Sequence, residues 1–138
     1  TWAQRNRSDM VRIPMYKPGK ESAARIELRS PDPACNPYLA FSVILAAGLD
    51  GLEKKSPLEE PTEGNVFAMS EEEQKRRGIA RLPESLGEAI KLAEGSKLLR
   101  QALGEHVYAS FLKNKKIEYT RFRRALTDYE LKTYLPLL

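Results

Sequence analysis

Residues 24 to 49 constrain this chain more than any other stretch, because the side-chain period changes once there, and abruptly. Ala24 to Ser30 alternates polar and apolar residues, the period of a strand. Arg25, Glu27 and Arg29 fall on one side and Ile26 and Leu28 on the other, at a repeat of roughly 6.6 Å. Packing is expected of the apolar side, leaving the charged side free for chemistry. Pro31-Asp32-Pro33 cannot continue a ladder. Asn36-Pro37 then opens a helix, with an Asn cap and a proline at the first helical position, where its missing donor costs nothing. That helix runs to about Gly48 and is apolar nearly all round from Tyr38 through Leu45, which predicts burial on most faces and makes it the expected core helix.

The remaining segments follow from turn and cap chemistry. Met10 to Pro14 reads as a short strand stopped by its proline, joined to the charged strand through a turn at Lys17-Pro18-Gly19-Lys20. Residues 54 to 64, rich in Pro, Glu and Lys, read as a loop. Ser70 with Glu73 opens a short helix that Gly78 ends. Ser85 with Glu88 opens another, carrying the apolar stripe Leu86, Ala89, Ile90, Leu92 and Ala93 and closed by Gly95. Ser96 starts a helix ending near Gly104. From Glu105 a long amphipathic helix is expected with Val107, Phe111, Ile117 and Phe122 inward, then a last helix capped by Thr127 and Glu130. The fold class predicted is α+β: short antiparallel strands in residues 1–34 and a mainly helical region over residues 35–138.

Length and hydrophobic content predict one domain with a real core. The start at Thr1, without an initiator methionine and directly into a charged motif, reads as the C-terminal piece of a larger protein. The longest apolar run, Leu39 to Leu49, falls well short of the roughly twenty residues a membrane helix needs. One cysteine, Cys35, excludes an internal disulfide, fits a reducing cytosol and is expected as a small buried hydrophobe.

Charge is unevenly distributed. The formal surplus of four lies entirely between Thr1 and Arg29, which hold seven basic against three acidic residues; beyond Arg29 there are sixteen of each. A localised field of this kind attracts small anions more readily than a long polyanion. Within it Arg7, Arg12, Arg25 and Arg29 surround Glu27. Planar guanidinium forks match carboxylates and phosphates bidentately, and a lone carboxylate among them is the hard oxygen ligand that Mg²⁺ or Mn²⁺ prefers. Taken alone, such a strand is more often a solvated face with weak ion pairs. Its context carries more weight.

Asn6-Arg7-Ser8, Arg12-Ile13-Pro14, Arg25-Ile26-Glu27-Leu28-Arg29, Pro31-Asp32-Pro33, Asn36-Pro37-Tyr38-Leu39-Ala40 and Ala47-Gly48-Leu49-Asp50-Gly51, in this order, resemble the C-terminal part of a class I bacterial or archaeal glutamine synthetase. The resemblance continues through Gly64-Asn65-Val66-Phe67, Ser70 to Glu73 and Leu103-Gly104-Glu105-His106, and so covers essentially the whole chain. It implies a ligase that phosphorylates the side-chain carboxylate of glutamate with ATP and lets ammonia displace the phosphate, with two Mg²⁺ or Mn²⁺ ions per site. By position Arg7 would touch the transferred phosphoryl group and glutamate, Arg12 and Arg25 the ATP phosphates, and Arg29 the glutamate. Glu27 would be a metal ligand, and Lys17 or Lys20 could correspond to a nucleotide contact.

The same resemblance implies a cytoplasmic enzyme and a dodecamer of two stacked hexamers, its site completed upstream of Thr1 and by a neighbouring subunit. The isolated segment is therefore expected to be inactive. Where adenylylated members carry an acceptor tyrosine this chain has Phe67, which implies no adenylylation there. The tail, Tyr134 to Leu138, is implied in locking subunits together. Two rivals remain: a ligase of this scaffold acting on another amine, and a helical nucleic-acid-binding module using the basic stretch Lys113 to Arg124. Glu118 interrupts that stretch and Glu105, Asp128 and Glu130 border it, which favours a solvated helix and no nucleic acid. His106 has no second ligand nearby in sequence and reads as a helix-surface or interface residue.

Overall fold

The computed structural model describes residues 1–137; Leu138, the end of the expected tail, lies outside the described residues. Contacts gather the chain into two compact units, Thr1–Leu82 and Pro83–Leu138.

In the first unit three two-residue strands form one sheet: β1 (Trp2–Ala3), β2 (Val11–Arg12) and β3 (Glu27–Leu28), in that order. The antiparallel pair is β2 with β3, in a register that sets Val11 opposite Leu28 and Arg12 opposite Glu27. Pro14, lacking a donor, lies just beyond β2, and Lys20 N–H donates to Lys17 O at 3.0 Å to close the expected turn, with Gly19 at φ +80°. To this pair the structure adds β1, parallel to β2. Two residues among polar neighbours carry no readable period. What holds β1 is a distant segment: Thr62 N–H donates to Trp2 O at 2.9 Å and Trp2 Nε1 to Glu59 O at 2.7 Å.

One expectation about β3 fails. Ile26 does not pack; it is exposed, and Leu28 is only partly covered. A sheet this short leaves its apolar side open at Ile26 and only partly covered at Val11 and Leu28.

Helix α1 (Pro37–Glu53) begins as the sequence dictates. Asn36 Oδ1 accepts from the Tyr38 and Leu39 amides at 3.0 and 3.3 Å, and Pro37 is the first helical residue. It runs five residues past Gly48. The expected burial is absent: no α1 side chain is buried, and Tyr38, Phe41, Leu45, Leu49 and Leu52, spaced along one stripe, are all exposed. A helix apolar on every face requires a covering surface, and the described residues cover it only in part, along Leu39, Val43 and Ala46. Cys35, also expected inside, is exposed just before α1.

A short helix α2 (Glu71–Arg76) follows the loop, capped by Ser70, whose oxygen accepts from Glu73 N–H at 3.2 Å. The Glu73 carboxylate does not complete the box, because it pairs with Arg77 at 2.6 Å. Gly78 ends the turn at φ +68°.

In the second unit α3 (Leu86–Gly95) packs on α4 (Lys97–Arg124), and α5 (Asp128–Tyr134) follows. Ser85 caps α3 as expected, accepting from Glu88 N–H at 3.2 Å, and Ile90 of the predicted stripe is buried. The predicted division of α4 also appears: Gly104 sits at φ +71° and ψ +157°, a conformation open only to glycine, and breaks the run into two helices. The inward residues after the break differ from those expected. Tyr108 and Leu112 are buried, whereas Val107, Ile117 and Phe122 are exposed. The reason is the phase set at the Gly104 break, which turns Tyr108 toward α3 so that its hydroxyl donates to Ala93 O and Glu94 O at 3.2 and 2.9 Å. Gly87 lets the helices meet closely, since a Cβ there would stand 2.6 Å from the Tyr119 ring. Thr127 and Glu130 close a reciprocal capping box on α5, as predicted.

Candidate functional site

The register of β2 against β3 does the first part of the assembly, because directly opposed residues of an antiparallel pair bring their side chains together. Arg12 and Glu27 are opposed, and their side chains form an ion pair. Arg12 Nε lies 3.1 Å from Glu27 Oε2, off the line of a hydrogen bond, so that contact is Coulombic; the hydrogen bond runs from Arg12 Nη2 to Oε1 at 3.3 Å. Arg25, two residues before Glu27 on the same side, donates from Nη2 to the same Oε1 at 2.9 Å. One carboxylate is thus held between two guanidinium groups. It remains partly exposed, as is Arg12, while Arg25 reaches further into solvent.

Arg29 follows β3, fixed by its backbone N–H to Met10 O at 2.8 Å. Arg7 occupies the loop between β1 and β2. Both side chains are exposed, and among the described residues neither makes a hydrogen bond or ion pair. The structure therefore brings Arg12, Arg25 and Glu27 into contact, and among the described residues it does not bring the side chains of Arg7 and Arg29 into contact with them. Lys17 and Lys20, at the turn, are exposed.

Sequence reasoning passed over the residues that fix the Arg7 loop. Asn6 Nδ2 donates to Thr62 O at 3.2 Å and to Gly64 O, and its Oδ1 accepts from Ser8 N–H and Ser8 O–H at 3.0 and 2.8 Å. Ser8 Oγ accepts from Val66 N–H at 3.0 Å. The available signal was the chemistry of Asn and Ser, short side chains that bond nearby backbone and order loops, placed on either side of an arginine. Asp9 was likewise unforeseen. It is 2% exposed, and neither of its oxygens has a donor among the described residues.

As a cation site the cluster fits in part. Glu27 is an accessible hard-oxygen ligand, yet the described residues contain no group of three or more His, Cys, Asp or Glu side chains that could surround an ion. Glu27 can supply one ligand, with the remainder coming from phosphate oxygens, water or residues beyond these.

The family model of the glutamine synthetase catalytic domain matches residues 1–134. The chain belongs to this family. A glutamine synthetase of Mycolicibacterium smegmatis is 51% identical over 137 residues, 99% of this chain and 31% of that protein. One of Methanocaldococcus jannaschii is 49% identical over 134 residues, 97% of this chain and 29% of that protein. Among solved structures, a GmaS/ADP complex superposes with a TM-score of 0.78 at 34% identity, covering 99% of this chain and 29% of its own. The chain thus spans about three tenths of the length of the glutamine synthetases it matches.

The rival use of Lys113 to Arg124 loses ground on the same geometry. Lys115 pairs with Glu118 at 2.6 Å, Lys116 pairs with Glu94 of α3, and Arg123 lies over the Tyr119 ring at 5.7 Å. Half of the stretch's cations are committed within the unit. Among the described residues no helix is long and apolar enough to cross a membrane.

Proposed function

We propose that this chain is the C-terminal part of the catalytic domain of a glutamate–ammonia ligase, a cytoplasmic homo-oligomer that makes glutamine from glutamate, ammonia and ATP through a γ-glutamyl phosphate. The observation that carries the reading is the Glu27 carboxylate held by Arg12 and Arg25 at about 3 Å on a half-open surface, with the side chains of Arg7 and Arg29 exposed. The name of the solved neighbour, a complex with ADP, agrees with a nucleotide at this scaffold.

The roles follow from what phosphoryl transfer asks of a protein. The reaction needs little covalent help; it needs the nucleotide and the acceptor held in line, and charge on the transferred group neutralised as it develops. Arg12 and Arg25 orient the ATP phosphates. Arg7 reaches the transferred phosphoryl group and the acceptor carboxylate, and Arg29 binds glutamate. Glu27 would hold a divalent cation, Mg²⁺ or Mn²⁺, which would supply charge to offset that of the phosphates. The two guanidiniums beside Glu27 keep its carboxylate oriented. Phe67 offers no hydroxyl for adenylylation.

The test is Glu27→Ala in a full-length enzyme carrying this sequence. Glutamine formation falls by about 10²-fold or more, the scale of losing one preorganised electrostatic group. Unchanged glutamine formation in Glu27→Ala and in Arg29→Ala would remove the assignment. Product analysis with ammonia against other amines fixes the nucleophile, for which ammonia is proposed.

A further inference from the structure

We propose that Ser8, oriented by Asn6, is the positioning residue for Arg7, and that Val66 is the anchor it uses; this inference rests on the placement of Arg7 at the phosphoryl group given above. Arg7 stands between the two residues whose side chains tie its loop down, while its own side chain makes no hydrogen bond or ion pair among the described residues. A guanidinium on a free loop would sample many positions, and each order of misplacement at a reacting group is expensive in rate. The loop is not free. Asn6 spans to Thr62 and Gly64, and Ser8 to Val66, so both neighbours of Arg7 are fastened to one segment more than fifty residues away.

The anchor is itself held from behind. Val66 presents its N–H to Ser8 and its carbonyl to Gln74 of α2, whose Nε2 donates to Val66 O at 3.0 Å and to Met69 O at 3.3 Å. Gln74 is only 7% exposed, and its Oε1 accepts from Arg81 Nε at 2.9 Å. All of its polar atoms are thus engaged, which a buried amide requires. The peptide at Val66 is gripped on both edges, by the Arg7 loop on one and by α2 on the other. The Ser8 hydroxyl is the joint of this chain: it donates to Asn6 Oδ1 while accepting from Val66, and so cannot be replaced by a group lacking either function.

The experiment is a double-mutant cycle in a full-length enzyme carrying this sequence, reading kcat and the ATP KM of glutamine synthesis. Ser8→Ala is expected to lower kcat about tenfold or more with the ATP KM changed less than about threefold, because Arg12 and Arg25 stay in place. Ser8→Thr, which keeps the hydroxyl, returns kcat to within about threefold. On an Arg7→Ala background Ser8→Ala costs less than about twofold further, as it must if it acts through Arg7. Asn6→Asp, which loses the donors to Thr62 and Gly64, gives the same kcat loss and serves if Ser8→Ala does not fold. Additive losses in the cycle, or full kcat in both Ser8→Ala and Asn6→Asp while Arg7→Ala is impaired, overturn the inference alone. An Arg7→Ala enzyme of normal kcat overturns the role of Arg7 in catalysis and this inference with it.

Discussion

Where residues 1–82 bury Ala3, Asp9, Pro14 and Gln74, residues 83–138 bury Ile90, Tyr108 and Leu112. The first unit encloses little apolar volume and is held by backbone and side-chain hydrogen bonds between its first eight residues and residues 59 to 66. The second is a packed helix pair that buries Ile90, Tyr108 and Leu112 between its helices, with a close approach at Gly87 and polar ties from Tyr108 and Lys116 to the end of α3. Hydrogen bonds are directional and each contributes modestly to net stability, whereas apolar burial has no direction and scales with area. One unit is thus built for orientation and the other for cohesion. The candidate site lies in the first, and its apolar helix α1 has its face open.

This contrast breaks if the same truncation costs the same in both units. Leu112→Ala, at a side chain 8% exposed, is expected to lower the stability of the chain by about 2–5 kcal/mol, read by urea denaturation. Leu45→Ala in α1, at 64% exposed, should stay within about 0.5 kcal/mol. A comparable loss at Leu45 would mean that α1 is covered after all. A sharper version reverses the sign. Asp9 is buried with both oxygens unpaired, so Asp9→Ala is expected to stabilise the first unit, by about 1–3 kcal/mol, through removal of an unmet desolvation cost. Destabilisation of that size would reveal a donor to Asp9.

Sequence was most informative where a signal is local. The caps at Asn36, Ser70, Ser85, Ser96 and Thr127 are all occupied as the residue types demand, and the breaks at Gly19, Gly78 and Gly104 all carry positive φ. The alternation from Arg25 to Arg29 put Arg25 and Glu27 on one side of β3, where they meet. It could not supply the cross-strand register that adds Arg12, nor the bonds from Asn6 and Ser8 to residues near 65, because those depend on partners far along the chain. Burial was the least legible property. Ile26 and the α1 stripe have the composition of a core, and composition states what a side chain needs covered, not whether the covering residues are present. In α4 the error was one of phase: Val107 and Phe111 were chosen over Tyr108 and Leu112, and only the angle introduced at Gly104 decides between adjacent faces of a helix.

The smallest expected effect concerns that same break, and it distinguishes a hinge held by charge from one held by packing. Arg100 and Glu105 stand on either side of Gly104 and join through two hydrogen bonds, Nε to Oε2 at 2.6 Å and Nη2 to Oε1 at 2.7 Å, with the Arg100 guanidinium over the Tyr108 ring at 5.5 Å. The hydrogen bonds from Arg100 hold the Glu105 carboxyl below its ordinary value. A carboxyl depressed in the folded state contributes stability that is fully present above its unfolded value and is lost as pH falls through the lower, folded one. The clamp should therefore persist through neutral pH and release only under acid conditions beneath the usual carboxylate range. The pair is exposed and screened by salt, so the global change is slight and a local probe is needed. The Gly104 amide, followed by NMR during acid titration, is expected to report a midpoint below that of an ordinary glutamate, and Arg100→Gln should move it upward to the ordinary value. Identical midpoints in the two proteins would show that packing of Tyr108 against α3, without the ion pair, sets the angle at Gly104.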